Sequence, residues 1–243
     1  MKNFCKIAAH IAIAIAVSVL FFSKAHALSI AIDDGNGLNI ISDQSVSDSN
    51  TALGTVTYNL GLGDWTTNVT TGISDPVMGS ASSPELDLNS VNVSSLNGGN
   101  LSIMLTDTGF IGGNSFIDFF SNVGGTTDGS VKFNVFVDLN NGEFGINEAL
   151  PNITKIFDFD FSNTMPNEAF SMNHFDNVFL DDEYSITMVA DISHQRGVQN
   201  TSFNFSTMFT ESSEVPLPSS LALFAIGLLG FRFSRRGLER RKL

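Results

Sequence analysis

The sequence predicts an all-β fold, an antiparallel β-sandwich or jelly-roll-like body, with an N-terminal signal helix before it and a short C-terminal transmembrane helix after it. Three observations predict the body. Short runs rich in Val, Ile, Thr and Phe alternate apolar with polar residues at period two. Clusters of Gly, Asn, Asp and Ser separate these runs. No segment between Leu28 and Glu211 shows a sustained helical period. Alternation of this kind gives each run one apolar and one polar face, as in antiparallel sheets that cover a core on one side.

The runs follow one another along the chain. Leu28, Ile30 and Ile32 alternate with Ser29, Ala31 and Asp33. Val56, Tyr58 and Leu60 form the next run, and Trp65, Thr67 and Val69 follow the turn Gly61-Leu62-Gly63-Asp64. In "LDLNSVNVSS" Leu86 and Leu88 share one parity while Val91 and Val93 have the other. A bulge at Asn89-Ser90 would return all four to one face. Leu101, Ile103 and Leu105 come after Gly98-Gly99, and then Val131, Phe133, Val135 and Val137. Phe157, Phe159 and Phe161 alternate with Asp158 and Asp160 and are expected to face inward together. Tyr184 to Ile192 and Phe203 to Phe209 complete the set. Roughly ten strands spaced 8–12 residues apart read as a sandwich or jelly roll. Of the 22 phenylalanines, 16 lie between Phe110 and Phe209, yet no linker falls at that boundary, so one domain is expected.

Residues 1–27 read as a secretory signal peptide. Lys2 and Lys6 supply the positive start, Ile11 to Phe22 the apolar stretch, and Ala25-His26-Ala27 the small-residue cleavage pattern. The body is then 28–211 and the tail 212–243. The only cysteine, Cys5, lies within the signal segment, so the mature chain has neither a thiol nor a disulfide. Between Leu28 and Glu214 there are 24 acidic residues against three basic ones, Lys132, Lys155 and Arg196, a net charge of −21. A field of that sign repels nucleic acid and anionic membrane surfaces.

Chemistry is sparse. In "VDLNNGEFGINE" Asp138 and Asn140 stand two apart and Glu148 follows, a spacing close to a calcium loop but one residue short. Two readings stay open: a weak Ca²⁺ site at Asp138, Asn140 and Glu148, or a hairpin with a type I′ turn at Asn141-Gly142. No other cofactor is expected. "IDDGNGLNI" is an acidic, Gly-rich turn without the lysine of a phosphate loop. The mature chain has two histidines, His174 beside Asp176 and His194 at a strand end, and no serine sits in a nucleophile elbow. No catalytic residue is assigned and no enzyme is expected.

The tail runs "VPLPSSLALFAIGLLGFRFSRR". Val215, Pro216 and Pro218 form a proline-bracketed turn, a hydrophobic helix of about 219–233 follows, and the basic end 235–242 contains Arg235, Arg236, Arg240, Arg241 and Lys242. The apolar core of that helix, Leu221 to Phe231, would span about 16 Å of a hydrocarbon layer of about 30 Å, a minimal span suited to temporary retention. The basic end would stay in the cytoplasm and orient it.

Turn, helix and arginine cluster resemble the PEP-CTERM sorting tail of exported bacterial proteins. Val215, Pro216 and Pro218 match that family's Val-Pro-Glu-Pro motif, and Leu217 stands where it has its acidic residue. The resemblance implies that an exosortase, a membrane cysteine transpeptidase-like enzyme, acts on the tail. Body segments such as "GDWTTNVTTGISDPVMGS" and "YSITMVADISH" are similar to a recurring group of such proteins, which lends no activity. The expected partners are the secretion machinery, signal peptidase, an exosortase and extracellular polysaccharide, with transient inner-membrane insertion on the way to the cell surface or extracellular matrix. The leading expectation is a non-enzymatic, exosortase-sorted protein of the envelope or polysaccharide matrix. The alternatives are a calcium-dependent carbohydrate-binding module and an envelope hydrolase.

Overall fold

The computed structural model describes residues 28–59, 61–67, 70–162, 166–180 and 182–211. The chain divides into two compact units, Met1–Glu211 and Ser212–Leu243, and every described residue belongs to the first. The expected signal segment and sorting tail lie outside the described residues. Among the described residues no helix is long and apolar enough to cross a membrane.

The described residues form strands joined by turns. In order these are β1 (Ser29–Asp33), β2 (Leu38–Ser42), β3 (Thr55–Tyr58), β4 (Gly61–Leu62), β5 (Trp65–Thr67), β6 (Thr70–Ile73), β7 (Gly79–Ser80) and β8 (Ser83–Ser95). The longer strands of the second half are β9 (Gly99–Ile111), β10 (Ser115–Thr127), β11 (Ser130–Asp138), β12 (Ile153–Ser162), β13 (Glu168–Leu180), β14 (Glu183–His194) and β15 (Gln199–Glu211). A six-stranded sheet runs β12-β11-β14-β9-β1-β2, and a larger one runs β13-β10-β15-β8-β5-β4, with β6 also on β8 and β3 on β6. From β8 onward the chain shuttles between the sheets, and the orders β13-β10-β15-β8 and β12-β11-β14-β9 are those of an eight-stranded jelly roll. The expected antiparallel sandwich is thus present, with the jelly-roll topology. β1 and β2 widen one sheet, and β3 to β6 widen the other.

One continuous core fills the space between the sheets. Phe133 on β11 meets Phe203 and Phe205 on β15 edge-on, at ring separations of 4.9 and 5.2 Å. The anticipated bulge in β8 is present: Phe203 pairs with Val91, Phe205 with Leu88, and the register shifts between them. Ser90 adopts a positive φ of 55°, and its N–H donates to Asn204 Oδ1 at 2.8 Å. Leu86, Leu88, Val91 and Val93 are in consequence all buried. Of the three phenylalanines of β12, Phe157 is buried, whereas Phe159 and Phe161 pack against the core only partly buried, because β12 is an edge strand.

A second, smaller cluster lies on the outer face of the six-stranded sheet. Ala31, Met104, Phe136, Ile153 and Val189 are buried there, with Phe144 packed over them. Phe144 belongs to the long connection 139–152 between β11 and β12, so these strands are not joined by the tight Asn141-Gly142 turn that was one of the two readings. Their hairpin closes through a loop that folds back over the sheet.

Candidate functional site

The six-stranded sheet carries a groove of about 510 Å³ on the outer face, beside the cluster that Phe144 covers. Register builds it. Asp33 pairs with Ser102, Ser102 with Asp191, Asp191 with Lys132 and Lys132 with Asp160, one row across five strands. A parallel row is Asn100, Ser193, Ser130 and Ser162. The residues between the rows, Leu101, Val131 and Ile192, point inward and are buried. The rows therefore present only polar groups to solvent. Next along the strands, the row Ala31, Met104 and Val189 lies under Phe144, which ends the open surface on that side.

The electrostatics of this groove decide what it can hold. Its carboxylates alternate with Ser102 and Lys132, so neighbouring acids stand two strands, about 10 Å, apart. One cation needs its oxygens at about 2.3–2.6 Å, so this row cannot chelate one. Acceptors and donors alternating on a flat surface suit a ligand that is both donor and acceptor, such as a polyhydroxylated chain. At one side of it Lys132 and Lys155 converge on Asp158, at 3.8 and 2.7 Å. The hydrogen bond to Asp158 holds the Lys155 ammonium above its ordinary range, and Glu148, at 3.4 Å, adds to the effect.

Of the three candidate calcium ligands, Asp138 ends β11, and Asn140 and Glu148 lie in the loop 139–152 that follows. Asp138 is buried, and its Oδ1 accepts from the Asn140 N–H at 2.8 Å. A Cβ added at Gly142 or Gly145 would lie 2.8 or 2.6 Å from Asp138 Oδ2, so the loop wraps the carboxylate closely and only glycine fits there. Asn140 Oδ1 accepts from Asn152 Nδ2 at 2.8 Å, and Glu148 is paired with Lys155. Each oxygen donor is thus engaged by the loop or by β12. Among the described residues no group of three or more His, Cys, Asp or Glu is placed to hold a metal ion. The loop is tied down by Ser185 Oγ donating to the Gly142 carbonyl at 2.6 Å and by the Gly109 N–H donating to Asn141 Oδ1 at 2.7 Å.

The two histidines are placed apart. His174 sits half-buried on β13, its ring 5.7 Å from Phe119 and 5.8 Å from Phe157. His194 ends β14 and is buried, with Nδ1 2.9 Å from Ser95 Oγ and Nε2 2.8 Å from Thr201 Oγ1. Its ring lies 4.6 Å from that of Trp65. Burial pulls its pKa down to about 4, against the opposing pull of Asp128. A neutral imidazole donates through one nitrogen and accepts through the other, which two hydroxyls satisfy. Sequence spacing could not show this network, because Ser95 comes from the distant strand β8, although Thr201 lies only seven residues on, in β15.

Val215, Pro216, Pro218, Arg235, Arg236, Arg240, Arg241 and Lys242 lie outside the described residues. For them the comparison with known families is informative. Residues 214–236 match the family model described as the PEP-CTERM protein-sorting motif. No curated protein matches the chain. Among solved structures, TmCBM61 in complex with β-1,4-galactotriose is 11% identical with a TM-score of 0.31, covering 63% of this chain and 92% of that one. The enzymatically active domain of tailspike protein 4 from bacteriophage CBA120 is 12% identical with a TM-score of 0.30, covering 59% of this chain and 19% of that one. The last strand ends at Glu211 and the matched segment begins at residue 214, so the chain is a β-sandwich that carries a PEP-CTERM protein-sorting motif directly behind it, the mark of an exported protein sorted by an exosortase.

Proposed function

We propose that this protein is a non-enzymatic β-sandwich of the cell surface or of the surrounding polysaccharide matrix. Secretion machinery exports it, signal peptidase removes residues 1–27, and an exosortase frees it from the inner membrane. The observation that carries this reading is the sorting motif at 214–236. Pro216 and Pro218 each fix φ and disfavour helix in the residue before them, a local chemistry suited to a cleavage site. Arg235, Arg236, Arg240, Arg241 and Lys242 hold the far end on the cytoplasmic side. Cell fractionation tests it. Deleting the exosortase, or replacing Pro216 and Pro218 by Ala, should leave a longer form retained in the inner membrane. An unchanged distribution would contradict the reading.

A second reading is a calcium-dependent carbohydrate-binding module. It is supported by the loop that wraps Asp138 and by the polar rows of the neighbouring groove. Binding Ca²⁺ would require Glu148 to leave Lys155, so affinity would be weak. Calorimetry on the wild type should then give heat at millimolar Ca²⁺ that Asp138→Ala removes, and a glycan array should lose its signal in EDTA. No heat would leave a structural loop only. Turnover of matrix polysaccharide by the purified protein would instead favour an envelope hydrolase.

A further inference from the structure

The outer face of the larger sheet exposes aromatic side chains in an ordered pattern. Phe116 and Phe120 on β10, Phe175 and Phe179 on β13 and Met208 on β15 are 36–67% exposed. Phe116 stands opposite Phe179, with ring centroids 5.4 Å apart and edge-on. Four residues further along, Phe120 stands opposite Phe175 on one side and Met208 on the other. Between these apolar rows runs a polar one, in which Asp118 pairs with Asn177 and with Thr210. The two apolar rows are about 14 Å apart along the strands. Isolated exposed apolar residues are ordinary, but four phenylalanines in register on one face are not.

The spacing and the charge select the occupant. A second copy stacked on this face would bury the Asp118 row between apolar rows and bring together two bodies of net charge −20 each over residues 28–211. An anionic lipid surface or an acidic polymer meets the same charge. A protein interface has its apolar residues contiguous at the centre, whereas here a carboxylate and an amide occupy the centre. A pyranose ring has an apolar C–H face and a rim of hydroxyls, and it matches an aromatic row flanked by hydrogen-bonding groups. We infer that this face docks an extended, neutral polysaccharide chain, with sugar rings on the two phenylalanine rows and hydroxyls hydrogen-bonded to the Asp118, Asn177 and Thr210 row. This site is independent of calcium, of the groove on the other sheet and of the tail.

Affinity electrophoresis of the purified protein tests it, in gels containing hydroxyethylcellulose, galactomannan or dextran, with alginate as the anionic comparison. The wild type should be retarded in at least one neutral gel and not by alginate. The Phe120→Ala/Phe175→Ala and Phe116→Ala/Phe179→Ala variants should each weaken retention at least tenfold. Val46→Ala, an exposed apolar residue in a turn, should retain wild-type mobility. Matching thermal melts would show that the exposed substitutions leave the fold intact. Mobility equal to the control protein in all neutral gels, or retention undiminished in both double variants, would overturn the proposal. So would a concentration-dependent dimer, or co-flotation with phosphatidylcholine vesicles, that the same variants abolish. Retention is read on purified protein, so its failure would leave the sorting reading standing, and failed sorting would leave this test intact.

Discussion

At the scale of single residues His194 is a buried titratable group held through both ring nitrogens. Its two nitrogens are held by Ser95 and Thr201, and its ring lies on Trp65. Its pKa in the fold is about 4, whereas an exposed histidine titrates near 6.5. The unfolded chain therefore binds the proton more tightly. The stability contributed by the neutral ring is complete above about pH 6.5 and is lost as pH falls through that value toward about 4. Between pH 7.5 and pH 4.5 the expected loss from this residue is about 2–3 kcal/mol. Because the acidic side chains also titrate in that window, the comparison must be made against His194→Gln. Urea unfolding of both proteins at the two pH values should show a smaller pH-dependent loss in the variant. Equal losses would mean that the ring is not held neutral.

At the scale of strands, burial sets the cost of each substitution. Phe205 is fully buried on the central strand β15, so Phe205→Ala should cost about 3–5 kcal/mol. Phe159 points the same way but lies half-covered on the edge strand β12, so Phe159→Ala should cost about 1–3 kcal/mol, below the full-burial range. Denaturant melts that rank the two in the reverse order would contradict the assigned edge. The bulge gives a sharper case. Deleting Ser90 would remove the extra residue and leave Leu86, Leu88, Val91 and Val93 in strict alternation on the inner face, so the variant should still fold, as circular dichroism can check, with only the Ser90–Asn204 hydrogen bond lost.

These strands also show what could be read in advance. The β8 bulge was legible because two parities met within one run. β10 and β13 were not, for a physical reason. Phe119 and Phe120 are adjacent, one buried and one exposed, and β13 carries Phe175 and Phe179 outward while Phe170 and Leu180 face the core. Exposed aromatics on the outer face cancel the alternation that marks a strand. The long loop over the sheet was hidden likewise, because Asn141-Gly142 is a strong local turn signal that the packing of Phe144 overrides.

At the scale of the molecule, the groove and the tail differ in the same respect. Asp33, Ser102, Lys132, Asp160 and Asp191 are scattered over the chain and meet only through sheet register, so no spacing announces them. The sorting tail is contiguous, and its turn, apolar run and basic end are read directly. The topology is compatible with the proposed removal of the tail. β15 is hydrogen-bonded on both sides, to β10 and to β8, and the sandwich is complete at Glu211. A chain ending at Pro218 should therefore melt at the temperature of the longer form, as circular dichroism can check. The central claim is that the body is delivered outside the inner membrane by removal of that tail. Intact-mass spectrometry of the exported protein tests it most directly: the account predicts a species lacking Met1–Ala27 and the residues beyond the Val215–Pro218 region, and a species that still ends in Arg241-Lys242-Leu243 would contradict it.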